Sequence, residues 1–190
     1  SKGTSVTPDE MAEKYGADAL RLYILFEAPF EDTIQWSEDR MNGTFRFLNR
    51  VWDTVLAITT APPPPGAPES LPSAVGGDLP DNWAAMPDEA VRGLRRKVHQ
   101  TIAKVTEHIE NLRFNTAVSS LMILSDTLRK FVHAGGAAHP AAREAAEALA
   151  LLLAPMAPHV ADELWERLGG EGPLYRGPWP QSDPDLAAED

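Results

Sequence analysis

Five histidines, an absence of cysteine and two groups of basic residues are where this chain's chemistry has to be sought. None of His99, His108, His133, His139 and His159 has a glutamate three residues before it, so the Glu-x-x-His motif by which helical bundles hold a metal pair is absent. Without cysteine there is no thiolate nucleophile, disulfide framework or zinc-thiolate site, and no serine occupies a Gly-x-Ser-x-Gly elbow. The reading is therefore no catalytic residue and no metal ligand. Charge remains. Arg46 and Arg50 are four residues apart and leave one side of a helix together, at about 100° per residue. Arg92, Arg95, Arg96, Lys97 and Lys104 crowd a second helix. Guanidinium and ammonium groups in such clusters suit phosphate, which a planar arginine fork can grip at two points. For any one of them a solvated, solubilising face is the plain alternative.

The overall balance opposes such a partner, since the 190 residues carry a formal net charge of -11. Distribution qualifies this. Residues 86–133 hold 8 basic and 5 acidic groups, whereas residues 134–190 hold 3 and 10, and residues 1–60 hold 6 and 10. An RNA surface is expected to draw on the one net-positive stretch and on the Arg46 and Arg50 pair. At 43% hydrophobic and 24% charged the chain has globular composition. No apolar run approaches the roughly 20 residues of a membrane span, and no signal-peptide core opens the chain. A cytoplasmic protein with no membrane partner is the expectation.

The elements that must position these groups read as helices throughout. Thr7, Pro8 and Glu10 form a capping box for a short helix that Gly16 stops, and Ala17 to Ala28 reads as a second helix, apolar on most sides and buried. Pro29 ends it, and an irregular connector leads to Trp36, expected to dock on the core. Ser37 caps a third helix to about Thr60, with Met41, Phe45, Leu48, Trp52 and Val55 as its stripe. From 61 to 85 four consecutive prolines and further Pro and Gly read as a surface connection. A fourth helix starts near Pro87 on the seam Val91, Leu94, Val98, Ile102, Val105, Ile109 and Leu112. Arg92, Arg96, Lys97 and Lys104 lie off that seam and Arg95 on its flank. Asn115 is read as the cap of a fifth helix, Thr116 to His133, which Gly135 and Gly136 end. Pro140 to about Ala154 and His159 to Leu168 follow, separated by Pro155 and Pro158. Tyr175 and Trp179 are expected to dock an extended tail, and Trp52 and Trp165 to sit in the core. The fold class is all-α, a helical bundle.

Several separated segments, in order, carry a family resemblance. SKGTSVTPDEMAEKYGADALRLYILFEAPFEDTIQWSE resembles the stretch after the KMSKS loop of class I aminoacyl-tRNA synthetases. RLYILF, WSE and RFLNRVW are similar to the version found in the leucyl-tRNA synthetase family. TIAKVTEHIENLRFNTAVSSLM and LLLAPMAPHVADELWERLG resemble that family's anticodon-binding bundle.

The resemblance implies a connector over 1–36, an anticodon-binding bundle over 37–168 with a Pro-rich loop at about 61–85, and an extended tail over 169–190 leading to a further domain. Ser1 matches the last residue of KMSKS, so Ser1, Lys2 and Gly3 are a remnant of the ATP loop. The HIGH motif, the Rossmann core and the signature's second lysine lie outside this chain. ATP is thus implied for a catalytic domain of the same parent chain, with no cofactor in this segment and no aminoacylation by it alone. The implied partners are tRNA-Leu and that catalytic domain, with a monomeric state. Leucine enzymes recognise tRNA largely without reading anticodon bases, so phosphate and shape recognition is expected from Arg46, Arg50, Arg92, Arg95, Arg96, Lys97 and Lys104. An isoleucine, valine or methionine enzyme would share the bundle, although RLYILF and RFLNRVW speak against it. A freestanding helical scaffold for a protein partner is the alternative of another class.

Overall fold

A computed structural model describes residues 6–27, 35–63, 75–77, 79 and 86–188, and among these there are helices and turns but no strand. Helix α1 (Pro8–Tyr15) begins with the expected reciprocal cap: the Thr7 hydroxyl accepts from the Glu10 N–H, and the Glu10 carboxylate accepts from the Thr7 N–H. Gly16 ends it at φ 87 and ψ 151, an extended positive-φ bend that turns the chain straight into α2 (Ala17–Glu27). This second helix is one-sided. Asp18, Ala19, Leu22 and Tyr23 are buried, but Ile24 is 48% exposed, so the helix expected to be buried is buried on one face. Pro29 and the connector over 28–34 lie outside the described residues. Trp36 docks on the core from the surface, as expected: it meets the buried Tyr23 edge-on with ring centroids 5.2 Å apart and stays partly exposed.

Ser37 caps α3 (Glu38–Thr60) through its hydroxyl, as its position before an apolar-periodic run predicts. The buried face is wider than the expected stripe and turned from it. Phe47, Val51 and Ile58 join Met41, Leu48 and Val55 inside, while Phe45 and Trp52 are half-buried at the edge. The reason is that α3 packs against α2, α5 (Phe114–Phe131) and α7 (Pro158–Arg167) at once, so no single seam suffices. The Trp52 ring lies under the Arg167 guanidinium of α7, 4.5 Å from its centroid. Most of the proline-rich stretch 61–85 falls outside the described residues.

The strongest periodicity gives the central element, α4 (Asp88–Glu110), whose Leu94, Val98, Ile102 and Val105 are buried against α5 (Phe114–Phe131) and α6 (Pro140–Leu153). Its predicted seam stops short of Leu112, which is 63% exposed. There two backbone bonds close the helix, the Leu112 N–H donating to the Ile109 carbonyl at 3.0 Å and the Arg113 N–H to the His108 carbonyl at 2.7 Å, and the Asn111 side-chain amide adds a bond to the Glu107 carbonyl at 2.7 Å. This paired pattern normally places glycine in the left-handed position, yet Leu112 holds it at φ 56. Because the turn is this tight, α5 starts at Phe114 and Asn115 lies inside it, not at its cap. Leu112→Gly is expected to stabilise the protein by about 1 kcal/mol by removing the Cβ clash of the left-handed backbone. Thermal unfolding should show a rise of a few degrees, and a fall would contradict this account of the turn.

A wide turn over Val132–Gly136 ends α5, with Gly135 at φ 100 reversing the chain. His139 then caps α6 through Nδ1, which accepts from the Ala141 N–H at 3.1 Å. Burial lowers its pKa, so the neutral ring needed for that acceptor role is favoured. Six buried alanines let α6 approach its neighbours closely, and α7 (Pro158–Arg167) packs on α6 and α3. The tail is not extended throughout. It contains a single 3-10 turn at Leu174–Arg176 and a one-turn helix, α8 (Pro184–Ala187), which lies on α4. In the 3-10 turn Leu174 is the buried residue, its N–H donating to Asp162 of α7 at 3.0 Å, whereas Tyr175 is 74% exposed, contrary to expectation. Trp179 docks as expected, donating its indole N–H to the Thr106 hydroxyl at 2.8 Å.

Candidate nucleic-acid interface

The two basic groups singled out in the sequence meet different fates. Arg46 and Arg50 are both exposed on α3, and among the described residues neither makes an ion pair. Nearer the start of α3, Arg40 pairs with Glu27 of α2. Arg50 also borders a cleft of about 540 Å³ that reaches down to Gly43 and across to Met122 of α5. An arginine held on a rigid helix and not committed to a neighbouring carboxylate is free to meet a phosphate.

On α4 most of the basic cluster is engaged within the molecule. Arg92 pairs with Glu89 at 3.1 Å on the open surface. Arg95 turns inward, donating through Nε to Glu144 of α6 at 2.8 Å and through NH2 to the Gly77 carbonyl at 2.7 Å. Arg96 donates to the Ala188 carbonyl at 2.9 Å, and Gln100 to the Ala187 carbonyl at 3.0 Å, so this side of α4 straps down the tail. Lys97 and Lys104 make no ion pair among the described residues, and Lys104 is exposed. The cations of α4 and α3 open to an anion are thus Arg46, Arg50, Lys97 and Lys104. The flank position assigned to Arg95 explains its turn inward.

Sequence reasoning missed the partner that draws Arg95 in. Glu144 is 3% exposed and accepts from Arg95, from the Gly76 N–H at 3.0 Å and from His99 Nε2 at 3.4 Å. His99 is fully buried, and its other nitrogen accepts from the Asp183 N–H at 3.0 Å, which assigns the ring proton to Nε2. Burial, the largest influence, pushes the Glu144 carboxyl up, but the donors from His99, Arg95 and Gly76 together hold it below its ordinary value. A signal was present in the sequence. A glutamate inside the near-apolar run of α6 must find donors if it is to stay charged.

Asp18 was likewise missed. Its buried carboxylate accepts from the Val160 N–H at 2.7 Å, faces His159 Nδ1 at 3.0 Å and pairs with Arg21 at 2.6 Å. Helix α7 has no side-chain cap of its own, so a residue of α2 caps it from across the fold. This fixes the N-terminal helix pair to the bundle that carries the cations. Ser1, Lys2 and Gly3 lie outside the described residues. Among those described, no group of three or more His, Cys, Asp or Glu side chains is placed to hold a metal ion, and no helix is long and apolar enough to cross a membrane.

A bundle of this helix order, without strands among the described residues and with cations on its third and fourth helices, matches a known class. The chain belongs to the family described as the anticodon-binding domain of tRNA ligase, which matches residues 92–190. The relatives it matches along its whole length are leucine–tRNA ligases. It is 41% identical to that of Syntrophobacter fumaroxidans and 42% identical to that of Geotalea daltonii, in each case over 100% of this chain and 22% of the relative. The chain therefore spans about a fifth of the length of these relatives. Among solved structures, the leucine enzyme of Agrobacterium radiobacter, in a ternary complex with tRNA and LeuAMS, superposes with a TM-score of 0.75 at 27% identity, covering 96% of this chain and 22% of that one. The free methionyl-tRNA synthetase of Mycobacterium tuberculosis superposes with a TM-score of 0.64 at 17% identity over 87% of this chain and 35% of that one, which is a likeness of fold.

Proposed function

We propose that this bundle holds the body of tRNA-Leu for a catalytic domain of the same parent chain, which carries out ATP-dependent leucylation in the cytoplasm. The bundle itself takes no cofactor and supplies no reacting group, and it acts as a monomer. One observation carries the reading: in a chain that aligns throughout with leucine–tRNA ligases, Arg46 and Arg50 stand exposed side by side without a carboxylate partner among the described residues. Recognition is of phosphate and shape, since the open cations sit on rigid helices and carry no base-reading pattern. Arg92, Arg95 and Arg96 contribute mainly by shaping α4, and Lys97 and Lys104 extend the field.

A salt titration tests this. With tRNA-Leu transcript, the logarithm of the binding constant should fall linearly with the logarithm of salt, with a slope of about -0.7 to -0.9 for each phosphate contacted. Four open cations give a total slope of roughly -3 on that basis. Binding insensitive to salt, or none to tRNA alongside tight capture of a second protein, would instead support a helical scaffold.

A further inference from the structure

Gly43 lies inside α3, where a glycine weakens a helix relative to alanine because it has more chain entropy to lose. Packing does not require it, since a Cβ at this position would meet no atom within 4 Å. The space it leaves open is the cleft of about 540 Å³ walled by Phe26, Glu27, Arg40, Thr44, Arg50 and Met122. That volume falls in the range of roughly 300–1,000 Å³ typical of small-ligand sites. The Glu27 side chain is 6% exposed and is neutralised by Arg40, so among the described residues the net charge of the walls is that of Arg50. Phe26 and Met122 add an aromatic face and a polarisable thioether, surfaces on which a flat base can rest. At about 100° per residue, Arg40, Gly43, Arg46 and Arg50 fall on one side of α3, so a strand crossing the arginine pair passes over the cleft.

We propose that the cleft receives one nucleotide of the bound tRNA, with its phosphate on Arg50, its base against Phe26 and Met122, and Gly43 keeping the floor open. This rests on the tRNA-binding reading above. Gly43→Leu fills the cleft with a better helix former and leaves Arg46 and Arg50 in place. In the full chain it should bind tRNA-Leu transcript roughly tenfold more weakly, the loss of about one base stack, with an equal or higher melting temperature. Gly43→Ala should show a smaller loss in the same direction and serves if the leucine variant does not fold. In methyl NMR of the wild type, the Met122 signal should shift on adding transcript and stay in place on adding AMP at the same concentration.

Wild-type affinity in both Gly43 variants, with weakened binding in Arg46→Ala/Arg50→Ala, would overturn the cleft and leave the tRNA reading standing. Unchanged affinity in the arginine variant as well would remove that reading and the cleft with it. A Met122 shift caused by AMP alone would overturn the tRNA strand as occupant in favour of a free nucleotide.

Discussion

Glu144→Ala is expected to lower the melting temperature by on the order of 10 °C. The carboxylate is buried at the meeting point of α4, α6 and the turn at Gly76, and three donors converge on it. Removing it leaves the Arg95 guanidinium, only 14% exposed, without its counter-charge, together with an orphaned Nε2–H on His99 and an orphaned N–H on Gly76. Breaking a buried pair in this way costs about 3–5 kcal/mol, most of it the desolvation of the charge left behind. Glu144→Gln keeps the volume and one acceptor, so it should cost about half as much. Thermal unfolding by circular dichroism measures both. A change of only a degree or two in the alanine variant would show that water or relaxation satisfies Arg95.

The same carboxyl gives a pH signature. Its folded pKa lies below its ordinary value, so the stability it contributes is fully present above the unfolded pKa, near 4.5, and is lost as pH falls through the folded value. Wild-type stability should therefore drop as pH falls below about 4.5, and the Glu144→Gln variant should drop less steeply over that range. Asp126, held down to about 2 first by Lys130 and then by Arg129, follows the same sign. It is 46% exposed, so solvent screening leaves it a minor contributor.

The second large effect concerns binding. Arg46→Ala combined with Arg50→Ala should weaken tRNA-Leu binding by roughly 10- to 100-fold, since each charge-assisted contact to phosphate is among the stronger hydrogen bonds. It should also make the salt slope shallower by about 1.4 to 1.8. Stability should stay within about 0.5 kcal/mol, because both side chains are exposed and alanine suits a helix interior. The two readouts separate binding from folding. Equal affinity with an unchanged melting temperature would refute the placement of RNA on this side of α3.

How far the sequence shows all this depends on the range of each interaction. The caps at Thr7 and Ser37 and the α4 seam were legible because their geometry is complete within a few consecutive residues. The start of α5 was misread for a related reason. Asn115 has the composition of a cap, but the stop lies before it, made by backbone bonds around Leu112 with the Asn111 side chain on the Glu107 carbonyl. The stripe on α3 was misjudged because three helices share that face, and a single periodicity describes only one neighbour.

For the candidate interface, Arg46 and Arg50 were read correctly as one exposed pair because four-residue spacing on a helix decides it. Arg95 was grouped with the others because Glu144 lies 49 residues away, and nothing local states that the two will meet. Gly43 and the cleft over it were invisible for the same reason, since their walls come from α2, α3 and α5.

The Asp18 cap has a kinetic consequence. Asp18 and Val160 are 142 positions apart, so their bond closes a circuit that encloses nearly every helix of the bundle. The entropy of closing so long a circuit is recovered only once the intervening helices are in place. The bond is thus among the last to form and the first whose loss is felt on the way out. Asp18 is therefore expected to act as a clasp on an already folded body, so that Asp18→Asn should speed unfolding more than it slows refolding in stopped-flow measurements.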